Sequence, residues 1–227
     1  MPVRHGLTMG EVALMHQKFW ATQKCNLEII EMKNYKREMD FTQTGLPYVN
    51  PSPNLPTLDG CYTFAGTVLF EGTNISEGRG TTRSLELVGH PKINPWKLQN
   101  HFNDLFSQLG LNGFKLRPVN FYPMFQKHAN QSCGGFHIHI TDKKIFKPWR
   151  VSQILLKEFI QILGDEFSFK TDAYEYGGEL DPMDMINGND IFKKWYQKSQ
   201  DYSFLEEVEN QGINSYKEKR QSILLYN

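Results

Sequence analysis

An α/β fold, with α+β as its variant, is what this sequence predicts: a mixed sheet of about four to five strands packed by helices. Three observations carry that expectation. Apolar residues recur at helical spacing in Leu98, Phe102, Leu105 and Leu109, and again in Val151, Ile154, Leu155, Phe159 and Ile162. The segment "GGFHIHITD" (134–142) instead alternates apolar and polar residues, the period of a strand. Helical and extended segments then succeed one another along the chain, with no internal repeat and no low-complexity tract.

Each element has its own local reason. Thr8 and Glu11 fit a capping box, and Val12, Met15 and Phe19 follow at helical spacing, so a first helix is expected over about 9–22. "LEIIEM" (27–32) alternates between polar flanks and reads as a strand. Pro47, Pro51, Pro53 and Pro56 follow. Proline has no amide donor and a fixed φ, so this stretch is a stiff extended loop, and long loops inside compact domains usually carry function. A short helix is expected near 57–66. Asn94 as N-cap, Pro95 at N1 and Gly110 as the stop bound the next helix. "FKLRPVNFYPMF" (114–125) reads as a broken extended strand, and Gly164 ends the helix that carries Val151 to Ile162. "FSFKT" is a candidate short strand. Asp181-Pro182 opens a helical region through Trp195, and Ser203 with Glu206 forms a capping box for a final helix.

The totals narrow the function classes. The chain has 227 residues, with 39% hydrophobic and 22% charged residues, as in an ordinary globular protein. Lysine plus arginine equals aspartate plus glutamate, 25 each, so the balance predicts neither a nucleic-acid nor a membrane partner. No apolar run approaches the roughly 18 residues of a membrane helix. The N-terminus enters an amphipathic segment without a signal peptide, so the sequence as it stands reads as cytoplasmic or as lacking an upstream piece. Cys25, Cys61 and Cys133 are widely spaced and form no CxxC pair, which reads as three reduced thiols.

The chemistry concentrates in "EGTNISEGRGTT", Glu71–Thr82. Gly72, Gly78 and Gly80 permit positive φ and close approach to a ligand. Thr73 and Asn74 offer hydroxyl and amide groups, Glu71 and Glu77 can move protons, and Arg79 can clamp a carboxylate with its fork. Such a loop suits a polyhydroxylated or acidic small ligand. It is neither a Walker A loop nor GxGxxG. The alternative is a solvent-exposed loop held by its own Asx and ST turns. Elsewhere, His137 and His139 share one strand face and could hold a metal, but no third ligand stands at a definite spacing, and two hydrogen-bonded histidines explain them as well. Cys133 with a histidine could suggest a nucleophile; a buried thiol is the simpler reading.

Taken together, "VRHGLTMGEVA", "FTQTGLPYVNPSPNLPTLD", "LFEGTNISEGRGTT", the segment from Lys127 through "CGGFHIHITD", and the terminal "ILLYN" resemble the NamZ-type exo-β-N-acetylmuramidase family, long catalogued as a domain of unknown function. These motifs are long, ordered and spread over nearly the whole chain. Arg83 and His90 depart from the family pattern. The resemblance implies a Rossmann-like N-terminal half followed by the region seen here, so that 1–227 corresponds to a single domain like the family's C-terminal one, with the Rossmann-like half as its partner. It also implies release of terminal N-acetylmuramic acid from peptidoglycan fragments, an active site in the cleft between the halves, and relatives often exported or periplasmic; apart from the resemblance, no cofactor and no metal are expected. On that basis Glu71 and Glu77 are the catalytic candidates, and Asn54, Thr73, Asn74, Arg79 and Lys127 the candidates for binding the amino sugar. Two other classes compete. One is a non-catalytic binding module for an acidic sugar or other anion; the other is a metal-dependent hydrolase built on His137 and His139.

Overall fold

The computed structural model describes residues 1–172, 174, 178, 180–198 and 201–226. The chain forms two compact units, one of Met1–Tyr48 with Tyr202–Asn227 and one of Val49–Asp201.

The first unit begins with helix α1, Met9–Phe19. Its capping box forms as expected: the Glu11 amide donates to Thr8 Oγ1 and the Thr8 amide to Glu11 Oε2 at 2.8 Å. The expected strand at 27–32 is absent. The alternation is real, with Ile29 half-buried and Ile30 exposed, but no second strand lies beside it. Ile29 packs on Gly10 of α1 instead, and the Met32 amide donates to the Tyr226 hydroxyl. A period of two describes an extended chain; only a partner makes it a sheet. A 3₁₀ turn, Phe41–Thr44, precedes the proline stretch.

The second unit holds a three-stranded antiparallel sheet, fewer strands than the four or five expected. Its strands are β1 (Leu87–His90), β2 (Phe114–Phe121) and β3 (Cys133–Ile140), in the order β1-β3-β2. β1 left no signature in the sequence because its four residues are all buried and show no alternation. β2 stops short of the expected residue 125, and its Pro118 is tolerated because β2 is an edge strand. Helices α2 (Leu58–Thr67), α3 (Pro95–Gln108) and α4 (Pro148–Leu163) pack around the sheet. The alternation of β3 turns Phe136 and Ile138 to the core. Phe136 meets Phe102 of α3 at 5.2 Å and Phe159 of α4 at 6.4 Å between ring centroids. Burying each such ring is worth about 2–3 kcal/mol.

"FSFKT" contributes one isolated bridge, Phe169 to Thr73, rather than a strand. The region opened by Asp181 is two short helices, α5 (Pro182–Asn187) and α6 (Ile191–Tyr196), separated at Gly188 with φ 75°. In the first unit, the final helix is also two, α7 (Ser203–Asn210) and α8 (Ile213–Gln221). The expected capping box is displaced: Tyr202 occupies the N-cap and Ser203 is already the first helical residue. No helix among the described residues is long and apolar enough to cross a membrane.

Candidate active site

Glu71–Thr82 is not a solvated surface loop. Thr73, Ile75, Ser76 and Glu77 are each at most 2% exposed. The segment leaves a 3₁₀ turn, Val68–Gly72, and is stitched to β1 by reciprocal hydrogen bonds between Ser76 and Gly89 of 2.8 and 3.0 Å. It then reverses through Gly78 and Gly80, with φ of 77° and 85°. At Gly80 a Cβ would lie 2.6 Å from the Phe125 carbonyl oxygen, so only glycine permits this approach.

Within this fold the charges converge. The Arg79 guanidinium binds both carboxylates, Glu71 through Nη2 and Glu77 through Nε at 3.0 Å. Lys127 Nζ donates to the other oxygen of Glu77 at 2.7 Å. The Tyr174 hydroxyl donates to Glu71 Oε2 at 2.6 Å. Two carboxylates and two cations therefore balance in a largely desolvated space, where each charge interaction is stronger than at a surface. Burial lowers the Lys127 pKa, against the opposing pull of Glu77 and Glu71.

The Thr73 hydroxyl donates to the Phe70 carbonyl and accepts from the Ile75 amide. The Asn74 side chain donates to the Glu166 carbonyl and accepts from the Ser168 amide, tying the loop to 166–168. Lys127 has three ammonium protons, and Phe70 O, Ile75 O and Glu77 Oε2 offer three acceptors. Asn54 lies in the proline segment, where its amide donates to Ser52 Oγ, and among the described residues no hydrogen bond joins its side chain to the polar loop. Glu71, Glu77, Arg79 and Lys127 thus form one cluster; Thr73 and Asn74 shape its frame.

A second polar group lies at the other end of the loop. Glu86, 2% exposed, accepts from the Thr57 hydroxyl at 2.5 Å and from His137 Nε2 at 3.1 Å. Arg117 only donates, so His137 Nδ1 and His139 Nε2 accept from it, at 3.2 and 3.1 Å. Burial opposes the charge on Glu86, but the His137 and Thr57 hydrogen bonds and the Arg83 charge outweigh it and hold its pKa below the ordinary carboxylate value. Burial, with the neighbouring His137 and Arg117 charges, lowers that of His139. The two histidines share a face, as their spacing requires, and that face presents them to a guanidinium. Among the described residues no three His, Cys, Asp or Glu side chains converge as metal ligands. Cys133 is buried, and burial pushes its thiol up to about 11, the opposite of an activated nucleophile.

Sequence reasoning missed Tyr174, which lies 103 residues from Glu71 in no recognisable pattern. It also missed a histidine pair, His128 and His90, of which His128 reaches Asn74. His128 Nε2 donates to the Asn74 carbonyl at 2.6 Å, and its ring stands edge-on to buried His90 at 4.6 Å. Burial and the His128 charge bring the His90 pKa down to about 4.

The family profile described as "Exo-beta-N-acetylmuramidase NamZ, C-terminal" matches residues 62–226, and that described as "Exo-beta-N-acetylmuramidase NamZ, N-terminal" matches residues 1–59. The peptidoglycan beta-N-acetylmuramidase NamZ of Bacillus subtilis (strain 168) is 38% identical over 169 residues, 74% of this chain and 40% of that protein. Two solved structures of DUF1343 family proteins from Bacteroides fragilis NCTC 9343 share the fold, with TM-scores of 0.82 and 0.66 at 22% and 23% identity. They cover 97% and 98% of this chain and 56% of each of theirs. The chain therefore spans between two fifths and three fifths of the length of these relatives. The two family profiles and the identity to the Bacillus protein place it: the chain belongs to the exo-β-N-acetylmuramidase NamZ family.

Proposed function

We propose that this chain serves in the release of terminal N-acetylmuramic acid from peptidoglycan fragments, with Glu71, Glu77 and Arg79 on one wall of an active site that a Rossmann-like half completes. The observation that carries the reading is the shared guanidinium: Arg79 holds Glu71 and Glu77 side by side in a desolvated loop. Glycoside hydrolysis commonly uses two carboxyl groups flanking the scissile bond, one giving a proton to the leaving oxygen and the other acting as nucleophile or as base toward water. Glu71, reached by the Tyr174 hydroxyl, is the more accessible, and Glu77 is enclosed by Arg79 and Lys127. Lys127 and the frame of Thr73 and Asn74 hold these groups in place. The lactyl carboxylate that distinguishes muramic acid from glucosamine is the natural partner of Arg79.

Glu71 and Glu77 lie side by side on one wall, so on the family's architecture the Rossmann-like half supplies at least one essential acid across the sugar, and without that register small misplacements cost large rate factors. Residues 1–227 alone should bind the sugar weakly and show negligible turnover of a chromogenic N-acetylmuramic acid glycoside. Fusion to the family's N-terminal half should restore turnover, and Glu71→Gln or Glu77→Gln should then reduce it by about a hundredfold or more. A fused protein whose rate is indifferent to both substitutions would overturn the assignment. Saccharide binding without turnover in every form would leave a binding module.

A further inference from the structure

Among the described residues, non-glycine residues at positive φ cluster only in the connection between β2 and β3, residues 122–132. Gln126, His128 and Asn130 all have positive φ, 68°, 55° and 60°, although none is glycine. Side chains are disfavoured there, and such strain persists only where the surroundings over-determine it. The surroundings here are the polar loop itself. Lys127, between two strained residues, reaches Phe70 O, Ile75 O and Glu77. His128 donates to Asn74 O, and the Met124 amide donates to Gly80 O at 2.9 Å. The base is closed by the Asn130 amide on Pro123 O and the Tyr122 hydroxyl on Asn130 O.

This fixed turn presents large apolar side chains to water. Tyr122, Met124 and Phe125 are 51%, 65% and 54% exposed. Scattered exposed apolar residues are ordinary; three within four positions, on a strained and pinned turn, are not. Their place is specific. The Met124–Phe125 backbone lies against Gly80, the residue after Arg79. A turn with exposed apolar side chains thus adjoins, through its backbone, the loop that carries the charged cluster, and a glycan alternating muramic acid with glucosamine has matching chemistry. The acidic sugar needs a cation, whereas the neutral one offers C–H ring faces that pack on aromatic and thioether groups.

Resting on the function proposed above, we infer that Tyr122, Met124 and Phe125 form a stacking subsite for the leaving-group sugar, a neutral N-acetylglucosamine-type pyranose whose muramic neighbour sits at Glu71, Glu77 and Arg79. The apolar side chains of the turn select for a following sugar; the charged cluster selects for the terminal one.

The test is an NMR titration of the 227-residue chain, methyl-labelled at methionine, with N-acetylmuramic acid and with the β-1,4 disaccharide N-acetylmuramyl-N-acetylglucosamine. The disaccharide should bind roughly tenfold more tightly, about 1.4 kcal/mol, and should shift the Met124 methyl signal, which the monosaccharide leaves in place. Phe125→Ala and Met124→Ala, at exposed positions that do not test the core, should each bring the affinity ratio close to one. Equal affinities with an unmoved Met124 signal would overturn the subsite while leaving the muramic acid assignment standing. Absence of binding by either sugar would overturn both. Self-association abolished by Phe125→Ala, without any change in sugar affinity, would overturn the subsite in favour of a protein contact.

Discussion

At the scale of single residues, the site's surroundings respond to pH through His90. It is 4% exposed, its Nδ1 accepts from the Lys92 amide, and it faces His128, with Glu166 and Lys92 nearby. Folding lowers its pKa from 6.5 to about 4. Between those values the unfolded chain binds a proton that the folded chain refuses. Stability is therefore intact above pH 6.5 and falls as pH drops toward 4, by about 3 kcal/mol in all at about 1.4 kcal/mol per pH unit. His90→Asn keeps an acceptor for the Lys92 amide and removes the titration. Urea unfolding of the variant should show a shallower loss between pH 6.5 and 4; an unchanged slope would assign that loss to other groups.

At the scale of elements, α2 and α4 meet closely at one glycine. At Gly66 of α2 a Cβ would stand 2.0 Å from the Pro148 carbonyl oxygen of α4 and 2.6 Å from Ser152 Oγ. The obstacle is backbone, which cannot swing aside. α2 leads directly into the turn that ends at Glu71 and Gly72, so this crossing sets where the polar loop starts. Gly66→Ala should destabilise by about 3 kcal/mol, the upper end of overpacking. A thermal melt of the variant indistinguishable from that of the parent would show that the helices separate freely.

Across the whole chain, the unit of Met1–Tyr48 with Tyr202–Asn227 joins the two ends around one buried acid. Glu11, 0% exposed, accepts from the Thr8 amide, the Leu225 amide and Arg37 Nη2. Arg37 also donates to the carbonyls of Gly6 and Tyr226. Burial works against the charge, but these bonds outweigh it and hold the Glu11 pKa below 4.5. A depressed carboxyl contributes stability above its unfolded pKa, and that contribution is lost as pH falls below about 4.5 through the folded value. Glu11→Gln strands the arginine and should cost about 3 kcal/mol at pH 7. Its acid-induced loss should also be smaller than the parent's, as denaturant titrations at pH 7 and pH 4 would measure. Equal stability at pH 7 would show that the pair contributes nothing net.

What the sequence determined by itself was local. Thr8 with Glu11, Asn94 with Pro95, and Asp181 with Pro182 each start a helix because a cap needs only its next three residues. The 2-residue period of 134–140 decided that Phe136 and Ile138 face the core while His137 and His139 face the other way. The polar loop was legible as a candidate site through its composition, but that composition did not show that Thr73, Ile75, Ser76 and Glu77 would be buried. Everything that depended on a distant partner was left to tertiary structure. "LEIIEM" has the pattern of a strand and lacks a neighbour to pair with. Nothing near Glu77 announces that Lys127, 50 residues later, will complete its shell, or that Tyr174 will reach Glu71. A charge written in sequence has a type but no surroundings. Only the folded chain, by removing water and bringing remote donors within 3 Å, decided that Glu71 and Glu77 would share one guanidinium.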